Sequence, residues 1–117
     1  MISKTADAAA YIPVAKTKDV KPGQIKGVRA RGGYELAIAN VNGRYYAFDA
    51  YCPHQRWPLK WGELDGEAGS ATLTCALHLW CFDLETGAAL DPPLADCLQT
   101  YPVRLEGDII HVGLYRR

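Results

Sequence analysis

Asn42-Gly43 stands between Ile38-Ala39-Asn40-Val41 and Arg44-Tyr45-Tyr46-Ala47-Phe48, and few dipeptides restrict a chain so tightly. A two-residue type I′ turn needs positive φ at both central residues, which Asn and Gly tolerate with the least strain. The two flanking runs are therefore expected to fold back on each other as a hairpin. The rest of the chain agrees with this reading. Eleven glycines and seven prolines cut it into short runs rich in Val, Ile, Tyr and Thr, and no segment sustains a helical period over three turns. An all-β fold is expected, with strands at 11–15, 27–30, 34–41, 44–48 and 71–74. Pro22-Gly23 and Arg31-Gly32-Gly33 read as turns, and 99–106 as one strand paired across Gly107-Asp108 with 109–115.

With 117 residues, 49% of them hydrophobic and 22% charged, the chain suits a single compact domain. Thirteen basic residues balance thirteen acidic ones, so no bulk field advertises nucleic acid, and any partner must recognise a local patch. The longest apolar run, 8–15, contains Pro13 and is far shorter than the roughly 20 residues that span a bilayer. No membrane partner is expected. Asp7 interrupts what would have to be the hydrophobic region of a secretory signal, which points to a cytoplasmic protein.

Residues 50–97 differ in composition from their surroundings. They hold all four cysteines, all three tryptophans, His54 and His78, and Pro53, Pro58, Pro92 and Pro93. This stretch reads as a functional insert on a β base made of 1–49 and 98–117. In a reducing cytosol, four cysteines suit metal or cofactor binding better than disulfides. Cys52-Pro53-His54 and Cys75-Ala76-Leu77-His78 each offer one thiolate and one imidazole, with twenty residues between the two motifs. A Cys-x-His pair closes a cramped ring around a single ion, so a Cys₂His₂ zinc site remains the plainer alternative but fits poorly. Two irons bridged by sulfide fit better, with the thiolates on one and the imidazoles on the other.

These residues, with Gln55, Leu79-Trp80, Phe82, Thr86-Gly87 and the proline-bearing loop that follows, resemble the Rieske ferredoxins of multicomponent bacterial oxygenases over most of the chain. The resemblance implies antiparallel β-sandwich layers with a small inserted cluster-binding subdomain, closed by a hairpin near 101–112. It also implies one 2Fe-2S cluster, with Cys52 and Cys75 on the inner iron and His54 and His78 on the outer. The implied role is electron transfer without substrate chemistry, from an NADH-linked flavoprotein reductase to a terminal oxygenase of aromatic hydrocarbon catabolism. Cys-Pro-His-Gln and His-Leu-Trp resemble the ferredoxins of diiron aromatic and alkene monooxygenases more than those of ring-hydroxylating dioxygenases. A small Rieske subunit of a nitrite-reductase-like enzyme is a further alternative.

Two ferric ions, two sulfides and two thiolates sum to zero charge, whereas four thiolates would leave an excess of negative charge, so an electron enters a Rieske centre more easily. High-potential Rieske proteins resemble C-x-H-x-x-C and C-x-C-H-G-S-x-Y. This chain has Trp57 and Leu77 at the extra cysteine positions, and Trp80 and Phe82 in place of the Ser and Tyr hydroxyls. Lacking those donors, the potential is expected near about −150 mV, the low end of the Rieske range. The outer imidazoles would be the electron exit and would couple the potential to pH. Gln55, Arg56, Trp57, Leu79, Trp80, Pro92 and Pro93 form the expected docking rim, with Trp80 read equally as a shield. Trp57 and Trp61 read as packing under a loop, Cys81 and Cys97 as buried spare thiols, and His111 as a structural strand residue. Gly62, Gly66, Gly69 and Gly87 read as turn residues, and Asp83 and Glu85 show no defensible catalytic pairing.

Overall fold

The structure, a computed structural model, describes residues 8–53, 57–67, 69–76, 80–91 and 97–115. The expected hairpin is present. Asn42 and Gly43 take φ of 53° and 95°, and Val41 faces Arg44 across the two-residue loop. Strand β3 (Tyr34–Val41) thereby pairs with β4 (Arg44–Asp49), and β2 (Ile25–Ala30) flanks β3 on its other side. A short β9 (Thr100–Tyr101) adds to β4, giving the sheet order β2-β3-β4-β9. A second sheet is ordered β1 (Ala8–Lys16), β11 (Ile109–Tyr115), β10 (Val103–Glu106). A third is ordered β5 (Glu63–Asp65), β6 (Thr72–Thr74), β7 (Cys81–Asp83), β8 (Ala89–Asp91). Every pairing among the described residues is antiparallel, and the only helical pieces described are three-residue 3₁₀ turns.

The all-β expectation therefore holds, with three differences in detail. The stretch 99–106 is two strands. Pro102 has no N–H to donate, so β9 ends at Tyr101 on β4, and the Pro102 carbonyl accepts from Gly113 N–H at 2.9 Å as the chain crosses to the β11 sheet. Secondly, β5, β7 and β8 occupy a stretch that reads as loop in the sequence, because three-residue strands are too short to show a period. Thirdly, the sandwich has a shared middle layer. Ala37, Ala39, Val41, Tyr46 and Phe48 enter one core with Leu59, Leu73 and Phe82. Leu36, Ile38 and Ala47, pointing the other way, enter a second core with Val20, Ile110 and Val112. Side chains alternate across a strand, so one sheet serves both cores, and β3 is buried from Leu36 to Val41.

Asn40, the polar residue within that buried run, is fully engaged. Its Nδ2 donates to the Val20 carbonyl and its Oδ1 accepts from Gly43 N–H, both at 2.8 Å. One side chain thus ties the hairpin turn to the loop before β2, as burial of an amide requires. None of the described helices is long and apolar enough to cross a membrane.

Candidate metal centre

The two cysteine motifs are closed by the same hydrogen bond. Cys52 N–H donates to the Trp57 carbonyl at 2.9 Å, and Cys75 N–H donates to the Trp80 carbonyl at 2.7 Å. Each motif is therefore a six-residue loop that opens on a cysteine and closes on a tryptophan. The shared C-x₄-W spacing is legible in the sequence, and it is the signal that sequence reasoning missed. Cys52 is 2% exposed and Cys75 1%, and both belong to one core cluster against which Trp57 and Trp80 pack, half-buried. Two thiols brought into one apolar cluster at the roots of twin loops form a soft donor set that suits iron–sulfur or zinc, whereas carboxylate-preferring ions would find no match there.

The local sequence explains how the loops are held. Leu59, wholly buried, plugs the 3₁₀ turn 59–61 into the core, and its N–H donates to the Ala50 carbonyl at 2.8 Å. Gly62 follows at a close approach: a Cβ there would lie 2.7 Å from the Thr74 carbonyl oxygen and 2.9 Å from Leu73 Cδ1. Its role is space rather than a turn conformation, because its φ is −74°. Thr74 immediately precedes Cys75, so this contact ties the exit of the first loop to the root of the second. Across the third sheet, Glu63, Thr74, Cys81 and Asp91 lie in one row, which sets Trp61, Cys75 and Trp80 at the same end.

His54, Gln55, Arg56, Leu77, His78, Leu79, Pro92 and Pro93 lie outside the described residues. Of the expected docking rim, Trp57 and Trp80 are described, and both are partly buried in the core. Trp61 corrects its sequence reading, being 58% exposed; it follows the core plug Leu59 and faces outward. Cys97 corrects another. It is exposed, and Cys81 is only partly buried at the start of β7. No disulfide joins the two. His111 is a strand residue of β11 as expected, its Nδ1 buried without a partner among the described residues.

A further polar cluster was not anticipated. Tyr46 on β4 donates its phenol proton to Glu85 Oε2 and accepts from Gly69 N–H at 3.0 Å, while Arg44 Nη2 lies 3.1 Å from Glu85 Oε1. Burial, then the hydrogen bond to Glu85, pushes the Tyr46 phenol above its ordinary value. The cluster joins the middle sheet to the turns at Gly69 and Glu85.

The Rieske [2Fe-2S] domain model matches residues 10–102. The chain belongs to the Rieske family. Curated relatives place it among ferredoxin components of oxygenase systems. It is 34% identical over 113 residues, 97% of this chain and 93% of the relative, to the ferredoxin component of the p-cumate 2,3-dioxygenase system of Pseudomonas putida. It is 32% identical to the ferredoxin component of the alkene monooxygenase system of Xanthobacter autotrophicus, over 92% of this chain and 84% of that one. Among solved structures, the complex of oxygenase and ferredoxin in carbazole 1,9a-dioxygenase aligns with a TM-score of 0.78 at 26% identity, covering 92% of this chain and 95% of that one. A nitrite reductase small subunit from Mycobacterium tuberculosis aligns with a TM-score of 0.82 at 21% identity, covering 92% and 97%, a likeness of fold. By this kinship the Rieske chain is an electron carrier rather than a catalytic subunit. A Rieske domain holds one 2Fe-2S cluster, and the paired buried thiols fit that group.

Proposed function

We propose that this chain is the ferredoxin of a multicomponent oxygenase, taking single electrons from an NADH-linked flavoprotein reductase and passing them to a terminal oxygenase in the cytoplasm. The observation that carries the reading is the pair of matched loops, each rooted in a buried cysteine and closed by a tryptophan, in a Rieske chain whose curated relatives are oxygenase ferredoxins. Cys52 and Cys75 would hold the inner iron, and His54 and His78 the outer. The bound cluster supplies a reversible one-electron carrier. The protein's part is to bury the thiolate side in the core, while Trp57 and Trp80, with Gln55, Arg56, Leu79, Pro92 and Pro93, form the rim through which a partner approaches. Residues 50–97 form the cluster-binding insert on the base of 1–49 and 98–117. Supporting this division, Asp49 N–H donates to the Gln99 carbonyl at 3.0 Å, so the two ends of the insert meet.

The oxygenase in this reading is a diiron monooxygenase of aromatic or alkene substrates, on the strength of Cys-Pro-His-Gln and His-Leu-Trp. A second reading, a Rieske ring-hydroxylating dioxygenase, is favoured by the 34% identity to ferredoxins of p-cumate and biphenyl dioxygenase systems. Metal analysis with reduced-state EPR of anaerobically purified protein tests the core of the proposal. Two irons and two acid-labile sulfides per chain, with a Rieske signal on reduction, are expected. Zinc without sulfide would instead identify a Cys₂His₂ structural module.

A further inference from the structure

Among the described residues, two buried side-chain nitrogens lack a hydrogen-bond partner: Trp57 Nε1 and His111 Nδ1. The two are not equivalent. A neutral imidazole has two tautomers, so His111 can leave Nδ1 unprotonated and carry its proton on Nε2, which lies 4.0 Å from Glu106 Oε1. An indole nitrogen is a donor only. Its proton has no alternative place, and burying it unpaired forfeits a hydrogen bond that water supplies in the unfolded chain.

Trp57 is nonetheless held firmly. Its carbonyl accepts from Cys52 N–H at 2.9 Å, Pro58 beside it bridges to Tyr51, and Leu59 N–H donates to the Ala50 carbonyl at 2.8 Å. The Trp61 ring meets it edge to face, with centroids 5.8 Å apart and planes at 63°. The residue as a whole is only partly buried, yet its nitrogen is closed to solvent, and it packs against the core that holds Cys52 and Cys75. A donor fixed against the core of the two thiols, with no acceptor among the described residues, is matched by a group that brings its own acceptor. The thiolates and sulfides of a 2Fe-2S centre are anionic, and hydrogen bonds to charged acceptors are the strong ones.

We propose that Trp57 Nε1–H donates a hydrogen bond to an anionic sulfur of the bound cluster and so raises its potential. This rests on the reading above and adds to it a residue that tunes the energy of the carried electron. The added electron makes the sulfurs more negative, so the bond strengthens on reduction and favours the reduced state. Trp57 stands where the high-potential pattern has a cysteine. The same position here supplies a donor, which offsets part of what is lost where Trp80 and Phe82 replace hydroxyls.

The test uses anaerobically purified holo wild type, Trp57→Phe, Trp61→Phe and Trp80→Phe. Phe keeps an aromatic ring without the N–H, and Trp61→Phe disturbs the same ring pair from its exposed side, which controls for packing. The readouts are iron and sulfide content, the midpoint potential, and pulsed EPR of reduced protein carrying ¹⁵N in its indoles. Trp57→Phe is expected to keep its cluster and to disfavour the reduced state about tenfold, which for one electron is a midpoint about 59 mV lower. Trp61→Phe should stay within twofold of wild type. Wild type should show a ¹⁵N coupling to the cluster that Trp57→Phe lacks. A Trp57→Phe midpoint within twofold of wild type, or raised, overturns the proposal, as does an equal shift in Trp61→Phe or the absence of any coupling in wild type. Should Trp57→Phe lose its cluster, the coupling decides: its survival in both Trp61→Phe and Trp80→Phe supports Trp57 as the donor, and its loss in either overturns it. If wild type holds no 2Fe-2S cluster, the ferredoxin reading itself fails and the donor assignment falls with it.

Discussion

At the scale of single residues, Cys52 and Cys75 occupy equivalent places in twin loops, and the imidazoles at 54 and 78 complete the proposed ligand set. The assignment has an electrostatic consequence. Replacing His78 by Cys adds a negative ligand, so a cluster that still assembles should move from the Rieske range toward the roughly −400 mV of four-thiolate clusters. A potentiometric titration followed by EPR measures this, and an unshifted midpoint would remove His78 from the ligand set. Wild type should titrate near about −150 mV, since Trp80 and Phe82 stand where the high-potential pattern has hydroxyl donors. Cys81 sits partly buried at the start of β7, and Cys97 is exposed. Their replacement by Ala, singly or together, is expected to leave the EPR spectrum and the cluster content unchanged; loss of either would bring one of them into the site. The proposed ligating pairs stand out in the sequence because their spacing is chemistry. The exposure of Trp61 and Cys97 was not, since what covers an aromatic ring or a thiol depends on neighbours distant in the chain.

At the scale of elements, legibility followed length and turn chemistry. Strand β3 and the Asn42-Gly43 turn were plain from local pattern, whereas β5, β7 and β8 are three-residue strands held by pairing with one another. The contacts that fasten this third sheet to the rest are long-range and specific. Gly87, at φ +83°, donates its N–H to the Asp83 carbonyl and accepts from Leu98 N–H at 2.7 Å; a Cβ would fall 2.0 Å from the Leu98 oxygen. Gly87→Ala is therefore expected to lower stability by about 2–4 kcal/mol, through left-handed strain and displacement of the Leu98 carbonyl. Denaturant unfolding measures this, and a loss under about 1 kcal/mol would show the turn to be adaptable. The Tyr46 tie makes a different prediction. A phenol whose pKa is raised on folding contributes stability that is whole below its ordinary value of 10.0 and is lost as pH climbs above it. Tyr46→Phe should lower stability at neutral pH by about 1–3 kcal/mol, because Gly69 N–H and Glu85 lose a partner. Above pH 10 the gap between variant and wild type should narrow. A gap that stays constant into alkali would mean that the phenol does not govern the alkaline limb.

For the molecule as a whole, the shared middle sheet explains how a short chain carries a metal centre without a large core. The radius of gyration is 13.2 Å, matching the roughly 13 Å of a compact chain of this length, so the third sheet is folded against the base and not held out from it. Yet the two faces of the middle sheet differ in what completes them. On one side Leu36 and Ile38 meet Ile110 and Val112 from β11, an apolar contact that needs no ligand. On the other, Phe48, Leu73 and Phe82 share their core with Cys52 and Cys75, the thiols proposed to hold the cluster. Metal binding is folding free energy for the loops that supply the ligands. Removing the cluster under anaerobic, reducing conditions should therefore loosen the molecule unevenly. Amide exchange is expected to accelerate most at 52, 57 and 75, and next along β5 to β8, while Leu36–Asn40 and Ile110–Leu114 keep exchange rates close to those of the holo protein. Exchange measured residue by residue on holo and metal-free samples decides the matter. Uniform acceleration across both faces would mean that the two cores fold as one unit and that the cluster stabilises the whole chain rather than its own half.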